Sequence, residues 1–268
     1  MSIIEETLQI TIRDGKKLDA LLRKPTDGGP FPAVLFVSGL GMSLHEWNNS
    51  FDELSKRLVD AGFFTLQFTF SIFHPGGSCR ELPLDKRASE FTDVLVWMKK
   101  RQNVDVHRMG ILAQSFGVPT VLCADLATTK SLVFVGGAYF PYKSISKVYE
   151  ELGTMINYQG DTTLPRSSGE NTTVGKKFWE NLVSYDDIVQ VKRINQSAYM
   201  IHGDHDTKIP VSHAQRVFDE ISSKDKKFKI FKGGDHGITD VPRPMREEFL
   251  RDVVDWFQNT LQNFSMSR

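Results

Sequence analysis

Residues 110–117 read "GILAQSFG", an apolar run that ends on Gln114, Ser115, Phe116 and Gly117. A hydroxyl is a weak nucleophile by itself, so a serine at the end of a hydrophobic strand has chemical meaning only if other groups activate it. Ala113 and Gly117, two residues before and two after Ser115, are small. They let a strand and the next helix approach through a sharp turn that holds the hydroxyl out over a sheet. The turn also leaves the Phe116 N–H at a helix N-terminus, aimed where an oxyanion would form. Pro119 suits the first helical turn, because its missing N–H would have no partner there.

The sequence on either side alternates in the same way. "TLQITI" (7–12) and "LDALLR" (18–23) flank the turn signal Asp14-Gly15 and read as an antiparallel hairpin. "AVLFVSGLG" (33–41), "FFTLQFTF" (63–70), "MGILAQ" (109–114), "SLVFVGG" (131–137), "SAYMIHG" (197–203) and "KFKIFKG" (227–233) read as further strands. Helical spacing appears over 50 to 61, 86 to 101, 211 to 222 and 244 to 262, and a loop is expected at Pro75-Gly76-Gly77. Strands alternating with helices predict a mostly parallel sheet covered on both faces. The alternation lapses between about 138 and 194, where "YQGDTTLPRSSGENTT" (158–173) fits neither core strand nor core helix. That stretch is too long for a plain connection and carries Tyr139, Tyr142, Phe178, Trp179 and Tyr185, so an inserted lid is expected rather than a disordered linker.

Lys plus Arg balances Asp plus Glu at 33 each, which removes any global field for nucleic acid or anionic membranes. No apolar run approaches the roughly 18 residues of a membrane span, and the first residues lack a signal-peptide layout. Two cysteines, Cys79 and Cys123, are too few for a disulfide framework. A cytoplasmic location is expected.

A nucleophilic serine needs a base, and the base needs a group that holds its tautomer. His236, in "KGGDHG" (232–237) just past an expected strand, is the candidate base. "HGDHD" (202–206) offers Asp206 as the orienting acid, with Asp204 as its alternative and Asp235 as a weaker rival beside His236. The order serine, acid, histidine is the one associated with this turn type. "VSGLGMS" (37–43) supplies a second oxyanion donor in the N–H of Leu40. Gly39, Met42 and Gln114 are expected to border the substrate. His202, His205 and Asp206 could suggest a metal site, but the stretch is better explained as the acid loop, and neither metal nor organic cofactor is expected.

These residues resemble the α/β-hydrolase superfamily over almost the whole chain. The likeness is to lid-bearing esterases of the feruloyl/cinnamoyl esterase and dienelactone-hydrolase-like groups. "AQSFG" (113–117) corresponds to their nucleophile elbow, "SGLG" (38–41) to their oxyanion motif, "HGDHDTKIP" (202–210) to their acid loop and "GGDHG" (233–237) to their histidine loop. "VGKKFWENLVSYD" (174–186) resembles the lid exit of feruloyl esterases. The resemblance implies an eight-stranded, mostly parallel sheet formed by 1–137 and 195–268, with a lid at 138–194 after the sixth strand. It implies Ser115 as nucleophile, His236 as base, Asp206 as acid, and Leu40 and Phe116 as oxyanion donors. Ala113 replaces the first elbow glycine, Ser38 stands where the oxyanion motif usually has histidine, and Val118 where a second glycine often follows. "FTFSIFHPGGSC" (68–79) departs from the usual loop and reshapes one wall.

The expected activity is cleavage of a small-molecule carboxylic ester through an acyl-enzyme. Thioesterase and aminopeptidase activity are the alternatives within hydrolases, the latter requiring an acidic anchor such as Glu150, Glu151 or Glu170. A non-catalytic ligand-binding protein of the same fold is the alternative outside them. Neither nucleic acid nor membrane insertion is expected, and a homodimer is left open.

Overall fold

The computed structural model describes residues 2–73, 78–165 and 171–262. The expected Pro75-Gly76-Gly77 loop and Glu170 lie outside the described residues. The chain opens with the hairpin β1 (Ile3–Thr11) and β2 (Lys17–Pro25), paired antiparallel across the Asp14-Gly15 turn. Then come β3 (Phe31–Val37), α1 (Ser50–Asp60), β4 (Phe64–Phe68), α2 (Leu84–Lys99), β5 (Val104–Gln114), the short α3 (Gly117–Leu122) and β6 (Ser131–Val135). The chain returns to the sheet with β9 (Ser197–Gly203), followed by α7 (Val211–Glu220), β10 (Lys226–Phe231) and α8 (Arg243–Phe257). Between β6 and β9 lie α4 (Pro141–Glu151), the strands β7 (Thr162–Leu164) and β8 (Thr172–Val174), α5 (Lys176–Ser184) and α6 (Asp187–Val191).

Eight strands form one sheet in the order β1-β2-β4-β3-β5-β6-β9-β10. Only the β1–β2 and β2–β4 pairings are antiparallel; from β4 through β10 every neighbour is parallel. Parallel strands need crossovers and so are buried on both faces, which accounts for the unbroken apolar runs in β3, β5 and β6. One face is covered by α1 and α8, through Phe51, Leu54, Leu58, Phe249, Val253 and Phe257. The other face receives α2, α3 and α7, with Phe91, Met98, Val118, Val121 and Val217 in a single larger core. Leu164, Val174, Phe178 and Trp179, from the excursion between β6 and β9, belong to that larger core. Among the described residues the polar stretch 158–173 adds no strand to the main sheet, but β7 and β8 pair with each other, and Leu164 and Val174 are fully buried.

Candidate active site

The turn at Ser115 joins β5 to α3 at the carboxyl end of the sheet. Ser115 sits at φ 51°, a left-handed conformation that costs a residue with a Cβ on the order of 1–3 kcal/mol. Its neighbours hold it there. The Ser115 N–H donates to the Val135 carbonyl at 3.0 Å, and the Ala138 N–H donates to the Ser115 carbonyl at 3.0 Å. Gly117 makes the close approach feasible, since a Cβ on it would lie 2.3 Å from the Val37 carbonyl oxygen. The helix therefore rests directly on the end of β3, and the half-buried Ser115 is pushed outward.

The acid and the histidine arrive after the last two strands of the sheet, β9 and β10. A Cβ on Gly203 would lie 2.1 Å from the Gly234 carbonyl oxygen, so only a glycine lets the loops after β9 and β10 touch. That contact brings 206 and 236 together. His236 Nε2 lies 2.9 Å from Ser115 Oγ, and His236 Nδ1 lies 2.7 Å from Asp206 Oδ2. The other carboxylate oxygen, Oδ1, accepts the Lys208 N–H at 2.8 Å and the Ile209 N–H at 2.9 Å. Burial pushes the Asp206 carboxyl up, but the hydrogen bond and charge of His236, the Ile209 amide and nearby His202 together hold it below the usual carboxylate range. It stays ionised, aimed at the imidazole.

Neither rival acid reaches the imidazole. Asp204 accepts the Gly233 N–H, and Asp235 caps its own loop through the N–H groups of Thr239 and Asp240. His202 and Asp206 do approach, at 3.3 Å, but the exposed His205 points elsewhere, 4.0 Å from Asp204. His202 Nε2 lies 2.8 Å from the Ile209 carbonyl and donates to it, bracing the acid loop, and burial lowers the pKa of the ring against the raising pull of that carbonyl and of Asp206. Among the described residues no group of three or more His, Cys, Asp or Glu is arranged to hold a metal ion.

Leu40, half-buried, follows Gly39, and a Cβ on Gly39 would stand 3.3 Å from the Ser115 Cβ. Gly39 thus lies against the serine, and Met42 packs beside Gly39, its Cγ 3.6 Å from the same Cβ position. The Gly39 N–H is engaged: it donates to Glu46 Oε2 at 2.8 Å. Gln114 is buried beneath the histidine loop, where a Cβ on Gly237 would meet its Nε2 at 2.7 Å. It supports that loop from below. Phe116 heads α3, and its ring packs on Phe178 of α5 at 5.5 Å between centroids.

Three participants had no signal in the local pattern. Glu46 sits buried at φ 57° against Gly39, whose N–H its carboxylate accepts. Asp187 accepts the Phe140 N–H and is pushed by burial to a pKa of about 7, against the lowering pull of that amide and of the Tyr185 hydroxyl. Arg87, on α2, is fully buried behind the serine turn. A helix periodicity marks which positions face inward, and charged residues at such positions are read as exceptions until their partners are seen.

A parallel sheet with a strained serine at one strand end, a histidine on it and an ionised aspartate behind defines the α/β-hydrolase class. The chain belongs to the prolyl oligopeptidase family, whose model matches residues 78–264, and is a hydrolase of the α/β-hydrolase type. No curated protein matches the sequence. Among solved structures it is similar to Est1E from Butyrivibrio proteoclasticus, with a TM-score of 0.76 and 17% identity over 96% of this chain and 99% of that one. It is similar also to GrgF, an α/β hydrolase from Penicillium sp., at TM-score 0.75 and 14% identity, covering 97% and 99% of the two chains. The dienelactone hydrolase from Anabaena variabilis matches at TM-score 0.67 and 15% identity, again over 97% and 99%. At these identities the likeness is one of fold. Among the described residues no helix is long and apolar enough to cross a membrane.

Proposed function

We propose that the protein is a serine esterase that cleaves carboxylic esters through an acyl-enzyme. The observation that carries this reading is the unbroken contact chain from Ser115 through His236 to Asp206, at 2.9 and 2.7 Å. Ser115 Oγ attacks the ester carbonyl carbon while His236 Nε2 takes its proton. Asp206 holds Nδ1–H and stabilises the imidazolium. The N–H groups of Leu40 and Phe116 receive the oxyanion. His236 returns the proton to the leaving alcohol, and a water molecule, deprotonated by the same nitrogen, then releases the acid and restores Ser115.

Residues 138–194 serve as a lid in this reading, and aromatic side chains near the serine favour a short-to-medium or aromatic acyl group. The contact of Phe178 with Phe116 supports both points, as does the structural similarity to Est1E, which has also been seen with ferulic acid bound. A cytoplasmic location fits a chain with two cysteines. The test is turnover of p-nitrophenyl acetate and butyrate by wild type and Ser115→Ala, with labelling by a fluorophosphonate probe. Wild type should turn over and label, and Ser115→Ala should do neither. A wild-type protein that does neither refutes the reading.

Aminopeptidase-type cleavage is the second reading, favoured by the family match. Of its expected anchors, Glu150 and Glu151 are exposed on α4, the former accepting the Tyr158 hydroxyl and the latter paired with Lys147. Aminoacyl p-nitroanilides, run beside the esters, separate the two readings.

A further inference from the structure

Arg87 is wholly buried, yet it lies on a helix outside the serine, histidine and aspartate loops. Its Nη2 donates to the Ser38 carbonyl at 2.9 Å and, more weakly, to the Gly39 carbonyl at 3.4 Å. Its Nε donates to Thr120 Oγ1 at 3.1 Å, and that hydroxyl in turn donates to the Phe116 carbonyl at 2.8 Å. The guanidinium plane is held by aromatic rings, with Cζ 3.7 Å from the Phe70 centroid and 5.5 Å from that of Phe116. One side chain is therefore bonded to both segments that carry the oxyanion donors.

The Gly39–Leu40 peptide is trans, so its carbonyl and its N–H point in opposite directions. With the carbonyl turned toward Arg87, the Leu40 N–H must point away from it. A cation on the carbonyl end also polarises the peptide, which strengthens the N–H as a donor. On the other side, the Thr120 bridge fixes the first turn of α3, where Phe116 stands. Arginine suits this task better than lysine because its rigid fork serves two acceptors at once.

We propose that Arg87 is a positioning residue for the oxyanion site: through the Ser38 and Gly39 carbonyls and through Thr120 it sets the direction of the Leu40 and Phe116 N–H groups. The inference rests on the esterase reading above. It assigns Arg87 no contact with substrate.

The test compares wild type with Arg87→Met, Arg87→Lys and Thr120→Val, using p-nitrophenyl butyrate as substrate and 1-butaneboronic acid as a probe that forms a tetrahedral adduct on the serine. Active sites are titrated with a fluorophosphonate, so that unfolded protein is not counted. Loss of one oxyanion donor lowers kcat by about 10²–10³-fold in comparable sites, and a misaimed donor loses part of that. Arg87→Met should therefore lower kcat per titrated site by about 30- to 100-fold, with KM within about threefold. Boronate affinity should fall in parallel, and the acid limb of kcat/KM against pH should stay in place, because the proton relay is untouched. Arg87→Lys should recover part of the loss, and Thr120→Val should show a smaller loss of the same kind. If Arg87→Met does not fold, Thr120→Val and Arg87→Lys decide. Wild-type kcat and boronate affinity per titrated site in the folded variants overturn the proposal while leaving the esterase reading intact. A wild-type protein that neither turns over esters nor labels overturns both.

Discussion

The carboxylate of Asp187, at the start of α6, accepts the backbone N–H of Phe140, at the start of α4, with a distance of 2.7 Å. The excursion between β6 and β9 is thereby tied exit to entrance. Phe140 needs the tie, for it is held at φ 49° and ψ 58°, a left-handed conformation unfavourable for an aromatic residue. The carboxylate does this in a site that burial makes costly for its charge.

The consequence is a stability that depends on pH. The Asp187 pKa stands at about 7 in the folded chain, above its ordinary value of 3.8. Between those values the folded chain keeps a proton that the unfolded chain has released, so stability from this group is full below the lower value and is lost as pH rises through the upper one. Asp187→Asn keeps an acceptor for Phe140 without the charge. It should raise stability at pH 8 by roughly 2–4 kcal/mol while changing little at pH 4, as read by urea unfolding at the two pH values. Equal effects at both would contradict the assignment.

Asp206→Asn should abolish most activity without unfolding the chain. Its Oδ1 would still accept the amides of Lys208 and Ile209, which turns the amide nitrogen toward His236. A donor there forces the proton onto Nε2, and the ring can no longer accept one from Ser115. We expect kcat to fall by about 10⁴-fold, the size seen for the same change in other triads. Asp204→Asn and Asp235→Asn should each retain kcat within a small factor. Steady-state ester hydrolysis on the three variants checks this directly.

Gly117→Ala tests the packing of α3 on β3. The new Cβ would stand 2.3 Å from the Val37 carbonyl oxygen and 3.0 Å from that of Ser38, both backbone atoms that cannot swing aside. A destabilisation of about 2–4 kcal/mol is expected, with activity lost beyond what the unfolded fraction explains. Thermal unfolding and titrated kcat, measured together, give both numbers. A variant of wild-type stability would mean that the turn is not strained against β3.

Arg246 of α8 holds the histidine loop from behind. It donates to the Ile238 carbonyl at 2.8 Å and pairs with Glu53 at 2.9 Å, and Ile238 itself sits at φ 55° two residues after His236. Arg246→Met should cost about 2–3 kcal/mol of stability. Because a shift of His236 by a fraction of an ångström weakens its reach to Ser115, kcat per titrated site should fall about tenfold. Unchanged kcat per site would confine Arg246 to a structural part.

Much of this protein can be read in one dimension because its signals are local. The apolar runs of β3, β5, β6 and β9, the small residues around Ser115 and the glycines around His236 announce strands and tight turns wherever they stand. The order of the three catalytic candidates follows from which strand end each one occupies. The stretch 138–194 resists such reading because its strands β7 and β8 are only three residues each and pair with one another, and its burial of Leu164, Val174, Phe178 and Trp179 against the rest of the molecule is long-range.

What the amino-acid order determined by itself, then, is the alternating sheet and the placing of the candidate residues Ser115, Asp206 and His236 just past strand ends, because strand, turn and helix signals act over a few residues. The contact of Asp206 rather than Asp204 with His236, the capture of Gly39 by Glu46, the tie from Asp187 to Phe140 and the seat of Arg87 behind Ser38 and Gly39 are set only by tertiary structure. Each depends on the direction in which a polar side chain points once burial has removed water as its partner, and that direction is set by residues up to tens of positions away.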